Sequence, residues 1–553
     1  MTTIGSFFQT AGRHPSSLAW KHGGREWTWE QAARDVRRVA RALIALGVEK
    51  GDPVAIVGPN RPEWVMADLG TLAAAAVPAP IYPTLTGEQA RYVADHSGAA
   101  VALVADEGQR DKLRGGGVRT FALFSAWDDF LARGDAIPDS QVTERVHSLK
   151  PDELAALIYT SGTTGPPKAA MLTHRNLLFA AETARRVAKT TPEDVLVSYL
   201  PLSHVAEQVI SIHAPTVAGG AVWFCDELER IGEVLRAARP TIFFGVPRVW
   251  EKMQGRIEDS VRSAPALRRR LFQWARRSRG RLADRLVLSK VRAALGLDRA
   301  RICVTGAAKM PRPTLDFFDS IGLEVLDMWG MSESTAMGTA NLAGARKPGT
   351  VGRAEDGVEI RIAGDGEILT RGPHVFKGYY KDPASTHEAL DAEGFLHTGD
   401  VGELDRDGFL RITDRKKELL ITSGGKNVSP QNIEGLLGRI QGVSQAVVVG
   451  EGRKYLAALI VPESPAKASD AAFVAHLGRE IERVNGELAS YETIKRFRVL
   501  AAQFSIASGE LTPTLKLKRK VVSQKYAREI DELFAAGRTW NSSPELPNDL
   551  AQA

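Results

Sequence analysis

The sequence has 553 residues, which at about 100–200 residues per domain is long enough for two to four structural units. Hydrophobic residues make up 44% and charged residues 25% of the chain, so disorder, collagen and coiled coil are excluded as its main state. The two cysteines, Cys225 and Cys303, have no CxxC spacing, which excludes a disulfide scaffold or a cysteine-rich metal site and favours a reducing cytoplasm.

The formal net charge of +6 is concentrated in one segment. Residues 266–301 contain twelve Lys or Arg against two acids, so the rest of the chain is slightly acidic and nucleic-acid binding is not expected. The N-terminus lacks the basic and apolar regions of a secretory signal. The most apolar stretch, 69–82, is shorter than the ~20 residues of a membrane helix and is interrupted by prolines, so no transmembrane span is expected.

In chain order, short apolar runs alternate with longer helical stretches as far as about residue 410. The runs that predict strands are 54–57, 101–105, 154–159, 241–246 and 302–305. Strands alternating with helices predict an α/β fold with largely parallel sheets, in which ligands bind at the carboxyl ends of the strands.

The pattern changes after residue 414. Short strands are predicted at 419–422, 446–449 and 456–461, followed by a helix over about 473–488, which together indicate a compact α+β unit. Residues 538–553 are polar and contain two prolines, so we expect a disordered tail.

A polar loop, TSGTTGPPK at 160–168, follows the predicted strand 154–159. Its glycines allow the backbone to approach an anion, its hydroxyls and amides donate hydrogen bonds, and Lys168 adds positive charge, so the loop suits a polyphosphate. It is not a Walker A loop, because Ala169 rather than Ser or Thr follows Lys168. On composition alone, a Ser/Thr/Gly-rich surface loop is an equal alternative.

The string YTSGTTGPPKAAMLTHRN resembles the signature of the adenylate-forming superfamily, which includes acyl-CoA synthetases, luciferase and peptide-synthetase adenylation domains. Further motifs follow in the family's order: YLPLSH at 199–204, GAA at 306–308, DMWGMSE at 327–333, GEI at 366–368, TGD at 398–400, DRKK at 414–417 and TPTLK at 512–516. The resemblance covers residues 20–535. It implies a large N-terminal domain of α/β subdomains, 1–413, and a small mobile C-terminal α+β domain, 418–537.

The resemblance assigns the nucleotide site residue by residue. It implies that the polar loop binds the phosphates, that Trp329 stacks on adenine where the family usually has Tyr, and that Asp327 accepts from the adenine amino group. Without the resemblance, a Trp after an apolar strand would more often be core. The implied nucleotide-binding residues are Thr160, Ser161, Gly162, Thr163, Thr164, Gly165, Lys168, Gly306, Ala307, Ala308, Asp327, Met328, Trp329, Gly330, Met331, Ser332, Asp400 and Arg415.

Asp400 and Arg415 are implied to hold the ribose hydroxyls; the alternative is a structural salt bridge between domains. Glu333 is implied to hold Mg2+ on the phosphates, and the alternative is a solvated surface charge. Lys516 matches the mobile lysine that neutralises charge at the α-phosphate, with Lys168 and Thr160 as further catalytic residues. Because the sequence lacks the common Gly-Lys form at this point, a basic terminal strand is the alternative for Lys516.

Family resemblance further implies that the C-terminal domain rotates between two half-reactions. The hinge is expected at 414–417, with Lys417 at the pivot. Rotation would bring Ser423, Gly424 and Gly425 to line a tunnel for the thiol of coenzyme A. The implied co-substrates and cofactor are therefore ATP, coenzyme A and Mg2+.

The motifs are more similar to long-chain and bubblegum-type fatty acyl-CoA synthetases than to aryl or amino-acid activators. His204 and Gly330 are expected to border the acyl pocket, although a structural role for the histidine is equally compatible. The expected reaction is AMP-forming ligation of a fatty acid to coenzyme A. The alternatives are a stand-alone enzyme that loads a carrier protein or an amine, and a non-catalytic lipid or nucleotide binder.

The basic segment 266–301 is also amphipathic. Leu267, Leu271 and Trp274 fall on one face of a predicted helix and are surrounded by arginines. This pattern is compatible with peripheral contact to an anionic membrane, or with a helix packed on its own domain with an arginine-rich outer face. The sequence favours a cytoplasmic protein with possible membrane association, and it favours no oligomeric state.

Overall fold

The computed structural model describes residues 1–160, 166–278, 280–416, 418–505, 508–512 and 517–535. The chain forms two compact units. The first consists of Met1–Thr398 and Leu404–Arg411, and the second of Gly399–Glu403 and Ile412–Ala553. The predicted tail 538–553 lies outside the described residues.

The first unit contains a four-stranded parallel sheet near its N-terminus. Its strands, in spatial order, are Val77–Ile81, Pro53–Val57, Val101–Val104 and Thr120–Leu123. Central residues of these strands are almost fully buried, as expected for a parallel sheet covered on both faces. The strands predicted at 54–57 and 101–105 are confirmed.

A second four-stranded sheet is mixed. Its strands are Arg25–Thr28, Leu18–His22, Ala221–Phe224 and Val195–Ser198, of which the first pair is antiparallel and the others are parallel.

A third sheet carries two of the predicted motifs at its strand ends. Ile242–Gly245, Ile302–Thr305 and Val325–Trp329 are parallel, and Thr339–Ala340 and Arg353–Ala354 extend the sheet in antiparallel pairing. This confirms the strands predicted at 241–246 and 302–305.

The remaining strands of this part of the chain pair differently. Leu154–Thr160 and Lys168–Thr173 form an antiparallel hairpin, and Glu359–Ile362 pairs antiparallel with Glu367–Arg371. The chain passes between the two units within the strands Leu396–Leu404 and Leu410–Arg415.

Helices of the first unit start where the sequence supplies caps. Trp29–Ala45 follows a capping box formed by Thr28 and Gln31, and its buried face includes Val36, Val39 and Leu43. The α-helices of the unit are Thr3–Arg13, Trp29–Ala45, Pro62–Ala73, Gly87–Ser97, Glu107–Leu113, Trp127–Ala132, Asp139–His147, His174–Ala188, Val205–Gln208, Ala214–Ala218, Ile231–Ala238, Pro247–Arg262, Ala266–Ser278, Arg281–Ala283, Ser289–Leu295, Arg312–Ser320 and Pro383–Ala389. Two π-helical turns, Val209–His213 and Asp284–Leu288, connect some of them.

The second unit is an α+β structure. Val443–Val449 and Leu456–Pro462 are antiparallel, Ile494–Val499 joins the second of them in parallel, and Leu420–Ile421 pairs with Asn427–Val428. The helices are Pro430–Leu437, Ala471–Asn485, Arg519–Lys525 and Ala527–Phe534. The strands predicted at 446–449 and 456–461 and the helix predicted near 473–488 are confirmed.

One helix shows how this unit is held together. Phe473, Leu477 and Ile481 repeat at a spacing of four residues along Ala471–Asn485 and are buried in the same core as Leu456 and Ile460 of the sheet. Asp470 caps the helix by accepting from the backbone N–H groups of Ala472 and Phe473. In the described part of the chain, none of the helices is both long enough and apolar enough to span a membrane.

Candidate active site

The polar loop joins the two strands of the hairpin Leu154–Thr160 and Lys168–Thr173. Thr160 and Lys168 are paired across the ladder, and the Thr160 hydroxyl lies 3.4 Å from the Lys168 carbonyl oxygen, to which it donates. Thr160 and Lys168, the predicted phosphate-binding residues at the two ends of the polar loop, therefore lie side by side. The predicted residues Ser161, Gly162, Thr163, Thr164 and Gly165 lie outside the described residues. The first strand was predicted from the sequence, but its antiparallel partner was not.

Lys168 has three neighbours that were not predicted from the sequence. Its ammonium group donates to the Ser385 hydroxyl, lies 4.0 Å from the Asp382 carboxylate, and is 5.2 Å from the ring centroid of Tyr379. Asp382 also caps the helix Pro383–Ala389 by accepting from the backbone N–H of Ser385. Hydrogen bonding from Ser385, with a contribution from the Lys168 charge, lowers the pKa of Asp382.

Glu333 lies in the short 3-10 turn Ser332–Ser334 and is buried. The Tyr379 hydroxyl donates to its Oε1 atom at 2.8 Å, and the Phe376 backbone N–H donates to its carbonyl oxygen at 2.8 Å. Burial, followed by the negative charge of Glu333, raises the pKa of Tyr379 well above its ordinary value, so the hydroxyl stays protonated. The surface-charge alternative for Glu333 is therefore excluded.

The segment 376–380 fixes Tyr379 between Lys168 and Glu333. Met171 donates its N–H to the Gly378 carbonyl, and Tyr380 donates to the Ala169 carbonyl, both at 2.9 Å. Gly378 has a φ of 131°, and a Cβ there would lie 2.6 Å from the Thr386 side chain, so only glycine fits. Two predicted site residues that are 165 positions apart therefore contact the same tyrosine.

The predicted adenine-binding residues lie at the carboxyl ends of two adjacent parallel strands. Thr305 and Asp327 are in register, so 306–308 begins beside Asp327. Ala307 has a φ of 67°, which turns the chain sharply after the strand. Burial raises the pKa of Asp327 to about 7, against the opposing charges of Arg346 and Lys309. The motifs GAA and DMW are thus neighbours in space, as the resemblance implies.

Trp329 is buried, with 6% of its surface exposed. A Cβ on Gly338 would lie 2.8 Å from its indole, so the ring packs directly on that glycine. The stacking role of Trp329 stays a prediction. Gly330 cannot carry a side chain, because a Cβ there would lie 2.4 Å from the Ala336 backbone. Met328, Met331 and Ser332 continue the same segment toward Glu333.

His204 caps the short helix Val205–Gln208, where its Nδ1 atom accepts from the Ala206 backbone N–H at 3.2 Å. Three residues later, Glu207 is fully buried and accepts from the Ser211 hydroxyl at 2.7 Å. Burial raises the pKa of Glu207 to about 7, although hydrogen bonds from Ser211, from Ser198 and from the backbone oppose the shift. This buried carboxyl was not predicted from the sequence, because a Glu in a short helix usually faces solvent.

Asp400 and Arg415 are ion-paired within the second unit. Arg415 Nε lies 3.1 Å from Asp400 Oδ1, and the Lys416 backbone N–H donates to the Gly399 carbonyl at 2.8 Å. Asp400 is buried, whereas almost half of the Arg415 side chain is exposed. A buried carboxylate beside a guanidinium can bind a diol, and the same geometry is compatible with a purely structural ion pair.

The other C-terminal predictions are only partly within the described residues. Ser423, Gly424 and Gly425 form an exposed turn that connects Leu420–Ile421 to Asn427–Val428. Lys417 and Lys516 lie outside the described residues. The chain on either side of Lys516 is anchored, because Leu511 pairs with Leu517 and the Lys518 N–H donates to the Glu510 carbonyl at 2.7 Å.

A metal ion at this site would rely on few protein ligands. The described residues contain no cluster of three or more His, Cys, Asp or Glu side chains that could hold a metal by themselves. Mg2+ bound to nucleotide phosphates needs only one or two carboxylates, because phosphate oxygens and water complete its ligands. The buried Glu333 carboxylate, with one oxygen already oriented by Tyr379, fits that requirement.

The amphipathic helix Ala266–Ser278 exposes its predicted apolar face. Leu267, Leu271 and Trp274 are 78%, 44% and 43% exposed, whereas Phe272 and Ala275 anchor the helix from another side. Arg276 donates to the Ser320 hydroxyl at 2.7 Å and lies over the Phe317 ring. The helix does pack on its own domain, but it does so through residues other than those of the predicted face.

The family comparison covers both parts of the chain. Residues 7–380 match the family described as AMP-binding enzyme, and residues 417–538 match the AMP-binding enzyme C-terminal domain. The chain belongs to the AMP-binding enzyme family.

Individual relatives and a solved structure show a more specific similarity than the family match does. The chain is 35% identical over 591 residues to the Gallus gallus protein named long-chain-fatty-acid–CoA ligase ACSBG2, covering 92% of this chain and 77% of that protein. It is 34% identical to the Mycobacterium bovis long-chain-fatty-acid–CoA ligase FadD15, covering 92% of each. Among solved structures, ATP-bound MatB from Rhodopseudomonas palustris is 26% identical with a TM-score of 0.74, over 95% of this chain and 99% of that one.

Proposed function

We propose that the protein is an ATP-dependent, AMP-forming ligase that joins a fatty acid, of the long-chain class, to coenzyme A. The proposal rests mainly on sequence similarity. About a third of the residues, over more than nine-tenths of the chain, are identical to those of relatives named long-chain-fatty-acid–CoA ligases. The ATP-bound state of a similar solved structure supports ATP as the nucleotide.

The reaction has two steps. In the first, a carboxylate oxygen of the fatty acid bonds to the α-phosphorus of ATP while the bond to the β-phosphate oxygen breaks, which releases pyrophosphate and leaves an acyl adenylate. In the second, the coenzyme A sulfur, after losing its proton, bonds to the acyl carbon while the carbon–oxygen bond to AMP breaks. Neither step requires a covalent enzyme intermediate.

Positioning and charge neutralisation supply the catalysis. Lys168 and Thr160, with Ser161–Gly165 between them, would hold the phosphates, and Lys516 would neutralise charge at the α-phosphate. Glu333 would hold Mg2+, which when bound offsets phosphate charge. The convergence of Lys168 and Glu333 on Tyr379 supports a shared phosphate and metal site.

The other roles rest on the family resemblance and on local geometry. Gly306, Ala307 and Ala308 with the segment Asp327 to Ser332 would enclose adenine, with Trp329 as the aromatic contact. Asp400 and Arg415 would bind the ribose. His204 and Gly330 would border the acyl pocket, and Ser423, Gly424 and Gly425 would line the coenzyme A path after movement at Lys417.

Exchange of labelled pyrophosphate into ATP tests the first step. We expect exchange that depends on a long-chain fatty acid and falls by at least tenfold in Lys168→Ala and in Glu333→Gln. Exchange that needs a free amino acid or a carrier protein instead of a fatty acid would move the assignment to the carrier-loading alternative. Nucleotide binding without any exchange would identify a binder rather than an enzyme.

We also propose that the protein is cytoplasmic and contacts an anionic membrane through the segment 266–301. Five of the eleven exposed large hydrophobic side chains among the described residues lie in twenty positions of this segment: Leu267, Leu271, Trp274, Leu282 and Leu286. Six exposed arginines accompany them and make no ion pair within the described residues: Arg268, Arg269, Arg270, Arg277, Arg281 and Arg285. Exposed apolar side chains and unpaired cations in the same segment favour binding to an anionic bilayer surface. Each cation near that surface contributes about 1 kcal/mol to the binding free energy.

Vesicle flotation tests the membrane proposal. We expect binding to phosphatidylglycerol-containing vesicles but not to pure phosphatidylcholine, and at least a tenfold loss in the triple variant Arg268→Glu, Arg269→Glu, Arg270→Glu. The control variant Leu342→Ser removes a comparably exposed leucine elsewhere and should float like the wild type. Equal flotation of wild type and triple variant would remove the membrane assignment.

A further inference from the structure

We propose that Tyr379 is a positioning residue that sets the geometry of both the phosphate-binding lysine and the metal-binding carboxylate. The inference rests on the proposed function, because it concerns the roles given there to Lys168 and Glu333. Tyr379 was not among the residues predicted from the sequence.

The Tyr379 hydroxyl orients the Glu333 carboxylate. It donates to Glu333 Oε1 at 2.8 Å, and both side chains are shielded from solvent to a large extent. A hydrogen bond to a buried carboxylate is stronger than one between neutral groups and fixes the rotation of the carboxylate. Because Oε1 is engaged by Tyr379, Oε2 is the Glu333 oxygen that we expect to bind the cation.

The Tyr379 ring contacts the Lys168 ammonium. The Lys168 ammonium lies 5.2 Å from the Tyr379 ring centroid, within the range of a cation–π contact. The same ammonium also donates to the Ser385 hydroxyl and lies 4.0 Å from the Asp382 carboxylate. One aromatic side chain thereby limits where the lysine and the carboxylate can stand relative to each other.

The backbone around Tyr379 is held in place by several contacts. The Tyr379 N–H donates to the Thr386 hydroxyl at 2.8 Å, and its ring meets Phe376 edge-on with centroids 4.9 Å apart. The Phe376 N–H bonds to the Glu333 carbonyl, while Lys377 and Tyr380 bond to the strand that begins at Lys168. A tyrosine on such a support can orient its partners with little loss of entropy.

Tyr379→Phe separates the two contacts, since it removes the hydroxyl and keeps the ring. We expect the affinity for Mn2+, measured by electron paramagnetic resonance in the presence of a non-hydrolysable ATP analogue, to fall by about tenfold. The KM for fatty acid should stay within twofold. Tyr455→Phe is the matched control, because its hydroxyl donates to the Leu533 carbonyl at 2.8 Å in the other unit, and it should bind Mn2+ like the wild type.

Glu333→Gln makes the outcomes distinguishable. If the tyrosine acts through Glu333, adding Tyr379→Phe to Glu333→Gln should change the Mn2+ affinity by less than twofold. If Glu333→Gln weakens Mn2+ binding and Tyr379→Phe does not, the positioning role of Tyr379 is overturned while the metal assignment stands. If Glu333→Gln itself binds Mn2+ normally, the metal assignment in the proposed function is wrong, and the role of Tyr379 falls with it.

Discussion

At the scale of single residues, burial distinguishes a few carboxylates from the many charged side chains that are exposed to solvent. Asp400 and Glu333 are buried carboxylates with a defined partner each, Arg415 and Tyr379. A buried group that is oriented before its ligand arrives costs little reorganisation when the ligand binds. Both carboxylates are therefore expected to be preorganised for a ligand.

Asp400→Ala should remove discrimination for the ribose hydroxyls. We expect the wild type to prefer ATP over 3′-deoxy-ATP by about 10–100-fold in kcat/KM, because a hydrogen bond to a charged group contributes about 1.5–3 kcal/mol. The variant should use both nucleotides equally poorly. Asp407→Ala, at an exposed carboxylate, is the control and should keep the preference. Retained discrimination in Asp400→Ala would show that the pair with Arg415 is only structural.

Asp68 should make the protein less stable as the pH rises. Burial raises its pKa from 3.8 to about 8, so between these values the native state holds a proton that the unfolded state has lost. Stability should fall with rising pH across this window, by at most about 1.4 kcal/mol per unit, and level off above pH 8. Asp68→Asn should lack this slope. Parallel unfolding curves for both proteins from pH 5 to 8 would contradict the prediction.

At the scale of elements, some strands could be predicted because each is a short apolar run that follows its own local pattern: 54–57, 101–105, 154–159, 241–246 and 302–305. The run LAALIYT predicts the strand Leu154–Thr160, but its pairing with Lys168–Thr173 depends on the length of the intervening loop. The contact between Tyr379 and Glu333 could not be predicted, because it joins side chains 46 positions apart through a turn that Gly378 permits. The exposed face of Ala266–Ser278 could not be predicted either, because amphipathicity does not say which face packs.

The ion pair of Glu510 and Lys525 should stabilise the chain around Lys516. Burial would raise the Glu510 pKa, but hydrogen bonds from Lys525 and Ser508 lower it from 4.5 to about 2. Its contribution to stability is therefore complete above pH 4.5 and lost as the pH falls toward 2. Glu510→Gln should lower hydrogen-exchange protection of 517–535 by about 1–3 kcal/mol at pH 7, with a smaller difference below pH 4.5. Equal protection at pH 7 would contradict this.

At the scale of the whole molecule, the family motifs predicted a large α/β domain and a small α+β domain. The chain forms two compact units. The domain limits at 413 and 418 and the hinge between them remain predictions. The ordered motifs carry that information because they recur, in the family's order, along most of the chain. They do not carry the depth of the acyl pocket, which depends on side chains from many elements.

Lys417→Pro should separate the two half-reactions. A hinge must change its backbone angles, and proline fixes φ, so thioester formation should fall by at least a hundredfold while pyrophosphate exchange stays within about threefold. Lys416→Pro is not a suitable control, because the Lys416 N–H is bonded to Gly399; Lys417→Ala is, and should retain both activities. Loss of both half-reactions in Lys417→Pro would contradict a hinge at this position.

The proposed ligase activity is tested most directly by supplying Mg-ATP with carboxylates from C4 to C20, with and without coenzyme A, and measuring AMP and thioester separately. We expect equal amounts of AMP and acyl-CoA, which are highest for long chains and depend on coenzyme A. Adenylate formation without thioester, or a maximum at short chains, would show that the protein is not a long-chain fatty acid–CoA ligase.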